Sequence, residues 1–332
     1  MIKTAIVILN WNTRRHLETF LPFLIQYSSV DNVKIVVADN ASTDDSVDFL
    51  KANYPQIEIL MLEENYGFAE GYNRALKQVD AEYYVILNSD IEVTENWLNP
   101  LVDLLDKSPE IAACMPKLRS YYNRDYFEYA GSAGGYIDKY GYPFCKGRIF
   151  QTIEKDEGQY DGIHQVFWAT GACMVIKAKI FHEMGGFDSY FFAHQEEIDL
   201  CWRMQNNGYK IYCNTQSVLY HLGGGTLPKS NPRKTYLNFR NNMVLLYKNL
   251  PRRKWYGILF IRLVLDGVAA LKFVVGSQPF EFWAVFKAHL SFYKYLLRNK
   301  AIKTTGKPPS LIYQKSIVYQ YYVLKRKFFS EI

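Results

Sequence analysis

Apolar, β-branched runs alternate with amphipathic stretches from Ala5 to Asp106, and this alternation restricts the chain more than any other feature. Ala5 to Leu9 has the composition of a buried strand, and Thr13 to Tyr27 that of a helix with Leu17, Phe20, Leu21 and Leu24 on one face. Val33 to Ala38, Ile57 to Leu62 and Tyr83 to Leu87 supply three more strands. Helices are predicted from the capping sequence Ser42-Thr43-Asp44-Asp45 to Asn53, from Phe68 to Val79 and from Glu95 to Asp106. The repeat predicts an α/β fold: a mostly parallel, Rossmann-like sheet with helices on both faces.

Ligands of such sheets bind beyond the carboxyl ends of the strands. The residues found there are Asn10 and Asn12, then Asp39, Asn40 and Ser42, then Glu63, Glu64 and Asn65, then Asn88 and Asp90. One acid or amide after a strand is an ordinary turn or cap residue. Four strand ends that all carry them point to a site along that edge. Asp39 is placed to accept hydrogen bonds from a ribose hydroxyl or a pyrimidine ring nitrogen. In Asn65-Tyr66-Gly67-Phe68-Ala69-Glu70-Gly71-Tyr72-Asn73, Gly67 permits a sharp turn, Gly71 leaves room for a ligand against the backbone, and Asn73 can aim an amide at it. The chain contains neither GxGxxG at this point nor a GxxxxGK[ST] loop.

With 332 residues the chain can hold one large or two modest domains, and 49% hydrophobic residues exclude intrinsic disorder. Its net charge of +6 comes mostly from residues after Leu227, where basic and aromatic side chains mix, a pattern suited to anionic lipid and not to nucleic acid. Five cysteines without a CxxC spacing argue against a zinc site or a disulfide framework and for buried thiols in a cytosolic protein. The apolar run Thr4 to Leu9 is too short for a signal peptide, so no export is expected. From Ser120 to Gln165 the alternation gives way to a Tyr- and Gly-rich excursion with short β elements. Periodicity returns at Gln165 to Trp168, Ala172 to Ile176 and a helix from Glu196 to Asn207.

Three further signals carry chemistry. Asp90, closing Asn88-Ser89-Asp90, can begin a site for Mg²⁺ or Mn²⁺, which need few protein carboxylates when diphosphate oxygens complete the shell. Glu196 and Glu197 open a helix whose inward stripe is Ile198, Cys201 and Trp202. Adjacent helical residues project about 100° apart, so one of the two carboxylates, not both, serves a given target. The helix N-terminus favours its ionised form and the neighbouring acid opposes it, which suits a general base near neutrality. Asp199 and Arg203, spaced four apart, read as a supporting ion pair. His221 ends the apolar strand Ser217 to Tyr220 ahead of Gly223-Gly224-Gly225, where it can complete a metal shell and the glycines can let the next segment close. His16, His164, His182 and His289 lack such a setting.

Taken in order, Asp39-Asn40-Ala41-Ser42, the Asn65 to Asn73 stretch, Leu87-Asn88-Ser89-Asp90, Thr170-Gly171-Ala172, Gly185-Gly186-Phe187-Asp188 and Phe191 to Arg203 resemble family 2 glycosyltransferases of the GT-A fold. The nearest likeness is to the bacterial rhamnosyltransferase-like branch of surface polysaccharide synthesis, over about Thr4 to Leu227. The resemblance implies a catalytic domain over residues 1–227, with a nucleotide-binding half to about residue 118 and an acceptor-side half over 119–227. It implies inverting, metal-assisted transfer from a nucleoside-diphosphate sugar, rhamnose being the sugar the branch suggests, to a hydroxyl of a glycan or lipid-linked glycan. The divalent metal is expected on Asp90 and His221, because Asn88 stands where the family's DxD motif has its first acid. The base falls on Glu197 where the family has aspartate, with Glu196 and Asp199 as alternatives. Asn10, Asp39, Asn65, Gly67, Gly71, Asn73 and Asn88 fall at nucleotide-binding positions. Trp168, Gly171, Ala172, Glu196 and Asp199 fall where donor sugar and acceptor meet.

After Tyr236 the chain is helical in character to its end, which gives a C-terminal helical extension over 228–332. Ile258 to Gly276 is apolar, but Arg262, Asp266 and Lys272 interrupt it and it does not read as a membrane span. With Arg252, Arg253, Lys254, Trp255, Trp283, Lys287, Tyr293 and Lys294 these helices suit a membrane surface, which places the protein at the inner, cytoplasmic face of the bacterial membrane. A soluble helical domain or an oligomer interface is the competing reading, and the oligomeric state is left open. Two functional alternatives also stand: a sugar-nucleotide pyrophosphorylase, whose basic glycine loop is absent, and a nucleotide- or glycan-binding relative without activity.

Overall fold

The computed structural model describes residues 2–28, 31–223, 231–299 and 309–332. Strands β1 (Ile2–Asn10), β2 (Val33–Asp39), β3 (Glu58–Met61) and β4 (Ala81–Leu87) are parallel, in the spatial order β3-β2-β1-β4. Helices α1 (Arg14–Ser28), α2 (Ser46–Asn53) and α3 (Gly67–Leu76) connect them. Successive strand side chains point to opposite faces, and here both faces are apolar. Ala5, Val7, Val36 and Ile86 join Ala69, Tyr72 and Leu76 of α3 in one buried cluster, while Ile6, Ile8, Val37 and Val85 join Leu17, Leu21 and Leu24 of α1 in another. Register then aligns the polar strand ends: Asn10 pairs with Asp39, Asp39 with Met61, and Ile8 with Leu87.

Helix α2 starts at Ser46, directly after the predicted capping sequence, with Asp45 at the N-cap position and Asp44 Oδ1 accepting the Ser46 N–H at 3.1 Å. The N–H groups of Thr43 and Asp44 donate to Asn12 Oδ1, and that of Ser42 to Asp39 Oδ2. After β5 (Ile91–Glu92), α4 (Asn99–Lys107) begins later than expected, beyond Glu95, since Asn96 has φ 55° and Pro100 occupies the first turn, where its missing N–H has no partner to lose.

Beyond β6 (Ile111–Ser120), the Tyr- and Gly-rich excursion builds a second, small sheet from β7 (Gly135–Asp138), β8 (Pro143–Cys145), β9 (Arg148–Ile149) and β10 (Thr152–Ile153). The chain re-enters the main sheet as β11 (Ile163–Val166), β12 (Cys173–Lys177), helices α5 (Ala178–Glu183) and α6 (Glu196–Asn206), and β13 (Lys210–His221). Strand β12 is antiparallel to β4 and β6, and β13 is parallel to β6 but antiparallel to β11 and β5. Parallel pairing is thus concentrated where short helical crossovers enforce it, and the later part is mixed because a long excursion can deliver a strand in either direction. All five cysteines are buried.

Helices α7 (Pro232–Asn249), α8 (Arg252–Val275) and α9 (Pro279–Arg298) follow. Helical character does not persist to the end: β14 (Ile312–Tyr313) pairs in parallel with β7, and Phe329 and Ile332 pack on the cluster of Phe144 and Ile149. Gly306-Lys307-Pro308-Pro309 is a poor helical sequence, and the small sheet offers the last segment an apolar face instead. Of the charges that interrupt Ile258 to Gly276, Arg262 and Asp266 turn inward and Lys272 is exposed. Arg262 Nη2 lies 2.9 Å from Asp266 Oδ1, Tyr142 Oη donates to the same oxygen at 3.2 Å, and His289 Nε2 lies 3.2 Å from Asp266 Oδ2. The outer face of α8 is left largely apolar, yet among the described residues no helix is long and apolar enough to cross a membrane. Gly224 and Gly225 of the expected closing turn, and the expected boundary at residues 227 and 228, lie outside the described residues.

Candidate functional site

The carboxyl edge of the parallel strands is a connected polar row. Asn10, fully buried, donates through Nδ2 to Asp39 Oδ1 (2.8 Å) and Ser42 Oγ (3.0 Å), and Asp39 Oδ2 accepts the Ser42 N–H (2.9 Å). Asn40 Nδ2 donates to Asn65 Oδ1 (3.1 Å) and Gly67 O (3.1 Å), while its Oδ1 accepts the Tyr66 N–H (3.0 Å). Asn65 Oδ1 also accepts the Gly67 N–H at 2.9 Å, and Gly67 has φ +74°, as the expected sharp turn requires. Asn40 was part of the strand-end set but had no assigned role; it is the pin between the second strand end and the Asn65 to Gly67 turn.

Two residues expected to face a ligand face the protein instead. Asn73 spends both ends of its amide on the backbone of Phe187, donating to its carbonyl at 2.8 Å and accepting its N–H at 2.9 Å. It fastens the Gly185-Gly186-Phe187 loop, where a Cβ on Gly186 would come within 2.4 Å of Asn73 Oδ1. Gly71 makes room not for a ligand but for Leu9 and Asn40, which would lie 2.9 and 3.2 Å from an added Cβ.

Asn88 and Asp90 follow β4, whose Leu87 carbonyl accepts the Tyr72 hydroxyl at 3.0 Å. The Asn88 N–H donates to Ala172 O at 2.9 Å, which joins this turn to Thr170-Gly171-Ala172. Asp90 Oδ1 lies 3.2 Å from Nε2 of His221, because β5 pairs with the end of β13 and sets His221 opposite Ile91. On the other side of the ring, Nδ1 lies 3.2 Å from Glu128 Oε2 but off the line of a hydrogen bond. Glu128 is a member of this group that no local pattern marks, since it sits in the excursion after β6. Burial opposes the charge on the imidazole, but Asp90 and Glu128 overcome it and hold His221 well above the ordinary histidine value. Burial also opposes the charge on Asp90, and the adjacent His221 holds it below its ordinary value.

Among the described residues no three His, Cys, Asp or Glu side chains are already arranged around a metal position. A buried carboxylate and imidazole in contact through Asp90 Oδ1 and His221 Nε2 nonetheless are donor types that suit Mg²⁺ or Mn²⁺ once the imidazole gives up its proton, with phosphate oxygens and water supplying the rest.

The acid pair is presented at the same edge. Ile198, Cys201 and Trp202 are buried as expected, which orients the first turn of α6. Glu196 Oε2 and Glu197 Oε2 are both buried without a hydrogen-bond partner in the protein. Burial and then the charge of Glu197 push Glu196 well above the ordinary glutamate value, and burial pushes Glu197 up to about 7. Glu197 stands beside Gly171 and Phe68: a Cβ on Gly171 would lie 3.1 Å from the Phe68 ring and 3.9 Å from Glu197 Cβ. Asp199 is different, because Arg203 Nε (2.7 Å) and Lys248 Nζ (3.0 Å) bind its Oδ2 and Asn249 Nδ2 (2.9 Å) its Oδ1. That carboxylate ties α6 to α7 and has no oxygen left free for a proton transfer. Trp168 is likewise structural. Its indole N–H donates to Tyr136 O at 2.9 Å and its buried ring lies against Gly135, at the junction of the two sheets.

Comparisons with known proteins bear on the family and the fold. The family described as glycosyl transferase family 2 matches residues 5–185. An N-acetylglucosaminyl-diphospho-decaprenol L-rhamnosyltransferase of Mycobacterium tuberculosis is 26% identical over 237 residues, which are 67% of this chain and 76% of that protein. The O-antigen biosynthesis protein RfbC of Myxococcus xanthus is 25% identical over 209 residues, 62% of this chain and 16% of that one. Among solved structures, GalNAc-T7 with UDP, GalNAc and Mn²⁺ superposes with a TM-score of 0.59 at 16% identity, over 75% of this chain, which spans about half (48%) of its length. The mannosyltransferase PcManGT of Pyrobaculum calidifontis, with GDP-Man and Mn²⁺, gives 0.52 at 16% identity over 88% of this chain and 75% of that one. These likenesses show the GT-A fold, mixed α/β around a central sheet.

Proposed function

The chain belongs to glycosyl transferase family 2, and we propose that it transfers a sugar, with inversion, from a nucleoside-diphosphate sugar to a hydroxyl of a glycan or lipid-linked glycan. The observation that carries this reading is Glu197, whose carboxylate oxygen Oε2 is buried without a partner, beside Gly171 on the turn that is bonded to Asn88, two residues before Asp90. Glu197 takes the proton of the acceptor hydroxyl as its oxygen bonds to the anomeric carbon. The bond from that carbon to the diphosphate breaks on the opposite face, and nucleoside diphosphate leaves. Asn10, Asp39 and Asn65 line the edge that holds the nucleotide. Asp90 and His221 would hold the divalent cation, Mg²⁺ or Mn²⁺, which when bound supplies Lewis-acid stabilisation of the diphosphate. The rhamnosyltransferase relative supports rhamnose as the sugar and a polyprenyl-diphosphate-linked acceptor. Incubation with UDP-, dTDP- and GDP-sugars is expected to release nucleoside diphosphate in the presence of Mn²⁺ or Mg²⁺. Release of pyrophosphate, or no release with any donor, would overturn the reading.

The C-terminal helices support contact with a membrane surface. With Arg262 and Asp266 turned inward, α8 exposes Tyr256, Phe260, Val264, Val268, Leu271 and Val275, and α9 exposes Phe280, Trp283, Phe286, Leu290 and Leu297. Exposed Arg253, Lys254, Lys287, Lys294 and Arg298 border this face, as anionic headgroups would require. Flotation with phosphatidylglycerol vesicles is expected to carry the protein upward, with weaker recovery at high salt and with Phe260→Glu plus Trp283→Glu. Equal recovery of wild type and variant with the vesicles would refute this docking face.

A further inference from the structure

We propose that Asn241 of α7 is a positioning residue for the acid pair, so that the segment Arg240-Asn241-Asn242 is part of the catalytic machinery and not of an appended helical unit. The inference rests on the reading of Glu197 as the base. Between the short turn Ser189–Phe191 and α6, the backbone at Phe192, His194 and Gln195 has φ of 63°, 71° and 71°. None of these is glycine, and residues with side chains keep the left-handed region only where their surroundings hold them there.

Asn241 supplies that hold. It is fully buried, and its Nδ2 lies 3.0 Å from Phe191 O, 2.9 Å from Ala193 O and 2.7 Å from His194 O. Arg240 Nε donates to Asn241 Oδ1 at 2.9 Å, which sets the direction of the amide, and its Nη2 donates to Tyr190 O (2.8 Å) and Phe191 O (3.0 Å). Gln195, immediately before the acid pair, donates to Asn238 O (3.1 Å) and accepts from Asn242 Nδ2 (3.0 Å). On its other side the turn is fastened to α3, where Phe192 O accepts the N–H groups of Phe68 (2.7 Å) and Ala69 (3.1 Å). The Phe192 ring covers Gly67 so closely that a Cβ there would come within 2.6 Å. The strained turn is therefore a junction between the base and the Asn65 to Gly67 end of the polar edge. Freed of Asn241, the turn relaxes toward right-handed backbone, the first turn of α6 swings from Gly171, and water reaches Glu197.

Three readouts test this on the full chain with Asn241→Ala, or Asn241→Ser should the first fail to fold. Turnover is expected to fall about a hundredfold, the scale of a misplacement near 1 Å, with little change in KM for the donor. The acid limb of the kcat/KM profile, expected near pH 7 in the wild type, is expected to move down toward the ordinary glutamate value of 4.5 as Glu197 becomes hydrated. The groups around Glu197 leave hydration as the changing quantity: Glu196 stays in both proteins, Asp188, Asp199, Arg203 and Lys248 compensate one another, and the Phe68 ring of α3 lies at the Gly171 turn. Amide exchange is expected to rise selectively over residues 190–200. His194→Gly, placed in the Asn241→Ala background, is expected to recover part of the turnover because glycine takes positive φ without strain. Unchanged turnover, or a loss accompanied by an unmoved pH limb and uniformly faster exchange, would overturn the proposal. Full turnover in Glu197→Gln would instead remove the base reading, while selective exchange over 190–200 would still report the clamp.

Discussion

Glu197→Gln is expected to lose transfer by roughly 10² to 10⁴ fold, the range that a positioned general base contributes, while making the protein more stable at neutral pH. The two effects have one cause. Burial raises Glu197 from 4.5 to about 7, so the folded state binds its proton more tightly than the unfolded state does. For an acid raised on folding, the folded form holds the extra proton between these two values, and stability falls as pH rises through that window. Glutamine is neutral at every pH and nearly isosteric. It therefore removes a penalty whose upper bound, from the displacement of the pKa, is roughly 3 kcal/mol at pH 8, and removes nothing at pH 4. Thermal unfolding of wild type and variant at these two pH values, together with donor turnover, checks the prediction. In the wild type, kcat/KM should rise with pH through about 7. Glu196→Gln should share the stabilisation and keep turnover, since Glu196 is not beside Gly171; a reversal of the two phenotypes would move the base to Glu196.

Asp90→Ala is expected to remove the response to metal. Lewis-acid stabilisation of a leaving diphosphate is worth several kcal/mol, so transfer should fall by roughly 10³ fold. Asp90 is also half of a buried contact with His221, and its removal leaves that ring beside Glu128 alone. Breaking a buried pair costs about 3 to 5 kcal/mol where nothing compensates, and the remaining carboxylate lowers that figure. Asp90→Asn, which keeps the volume, accompanies Asp90→Ala to separate folding from metal binding. Wild type with a matching nucleoside diphosphate should gain apparent stability on addition of Mn²⁺, about 2.7 kcal/mol at a hundredfold excess over Kd. Both variants should lose the metal-dependent part and retain the metal-independent part, which the nucleotide contacts proposed for Asn10 and Asp39 would provide. A full Mn²⁺ response in Asp90→Asn would exclude Asp90 as a ligand.

Much of the site was legible before the fold. Strand periodicity located Asn10, Asp39, Asn65 and Asn88 at one edge, and the register of β1 with β2 brings the first two into direct hydrogen bond. The acid pair was legible from its place at the start of a helix with an inward apolar stripe. Glu128 was not, because it lies in an aperiodic excursion and reaches His221 only when β13 runs beside β6. Asn73 misled for a related reason. A helix-face amide beside glycines fits a ligand or a neighbouring loop equally well, and the Phe187 backbone, more than a hundred residues later, takes both of its groups.

The C-terminal part shows the same division. Arg262 and Asp266 break the apolar run of α8 in one dimension, whereas in three they form a buried pair with Tyr142 and His289 behind a largely apolar face. Asn241 reads as an ordinary helical amide until it meets three carbonyls of a left-handed turn. The sequence by itself determined the alternation of strands and helices, the edge where polar residues gather and the position of the acid pair, because periodicity and capping act between near neighbours. Only the tertiary structure decided which polar groups on that edge remain free for a substrate. That outcome depends on pairings between residues distant in the chain, and each buried donor or acceptor that finds a partner in the protein is withdrawn from the site.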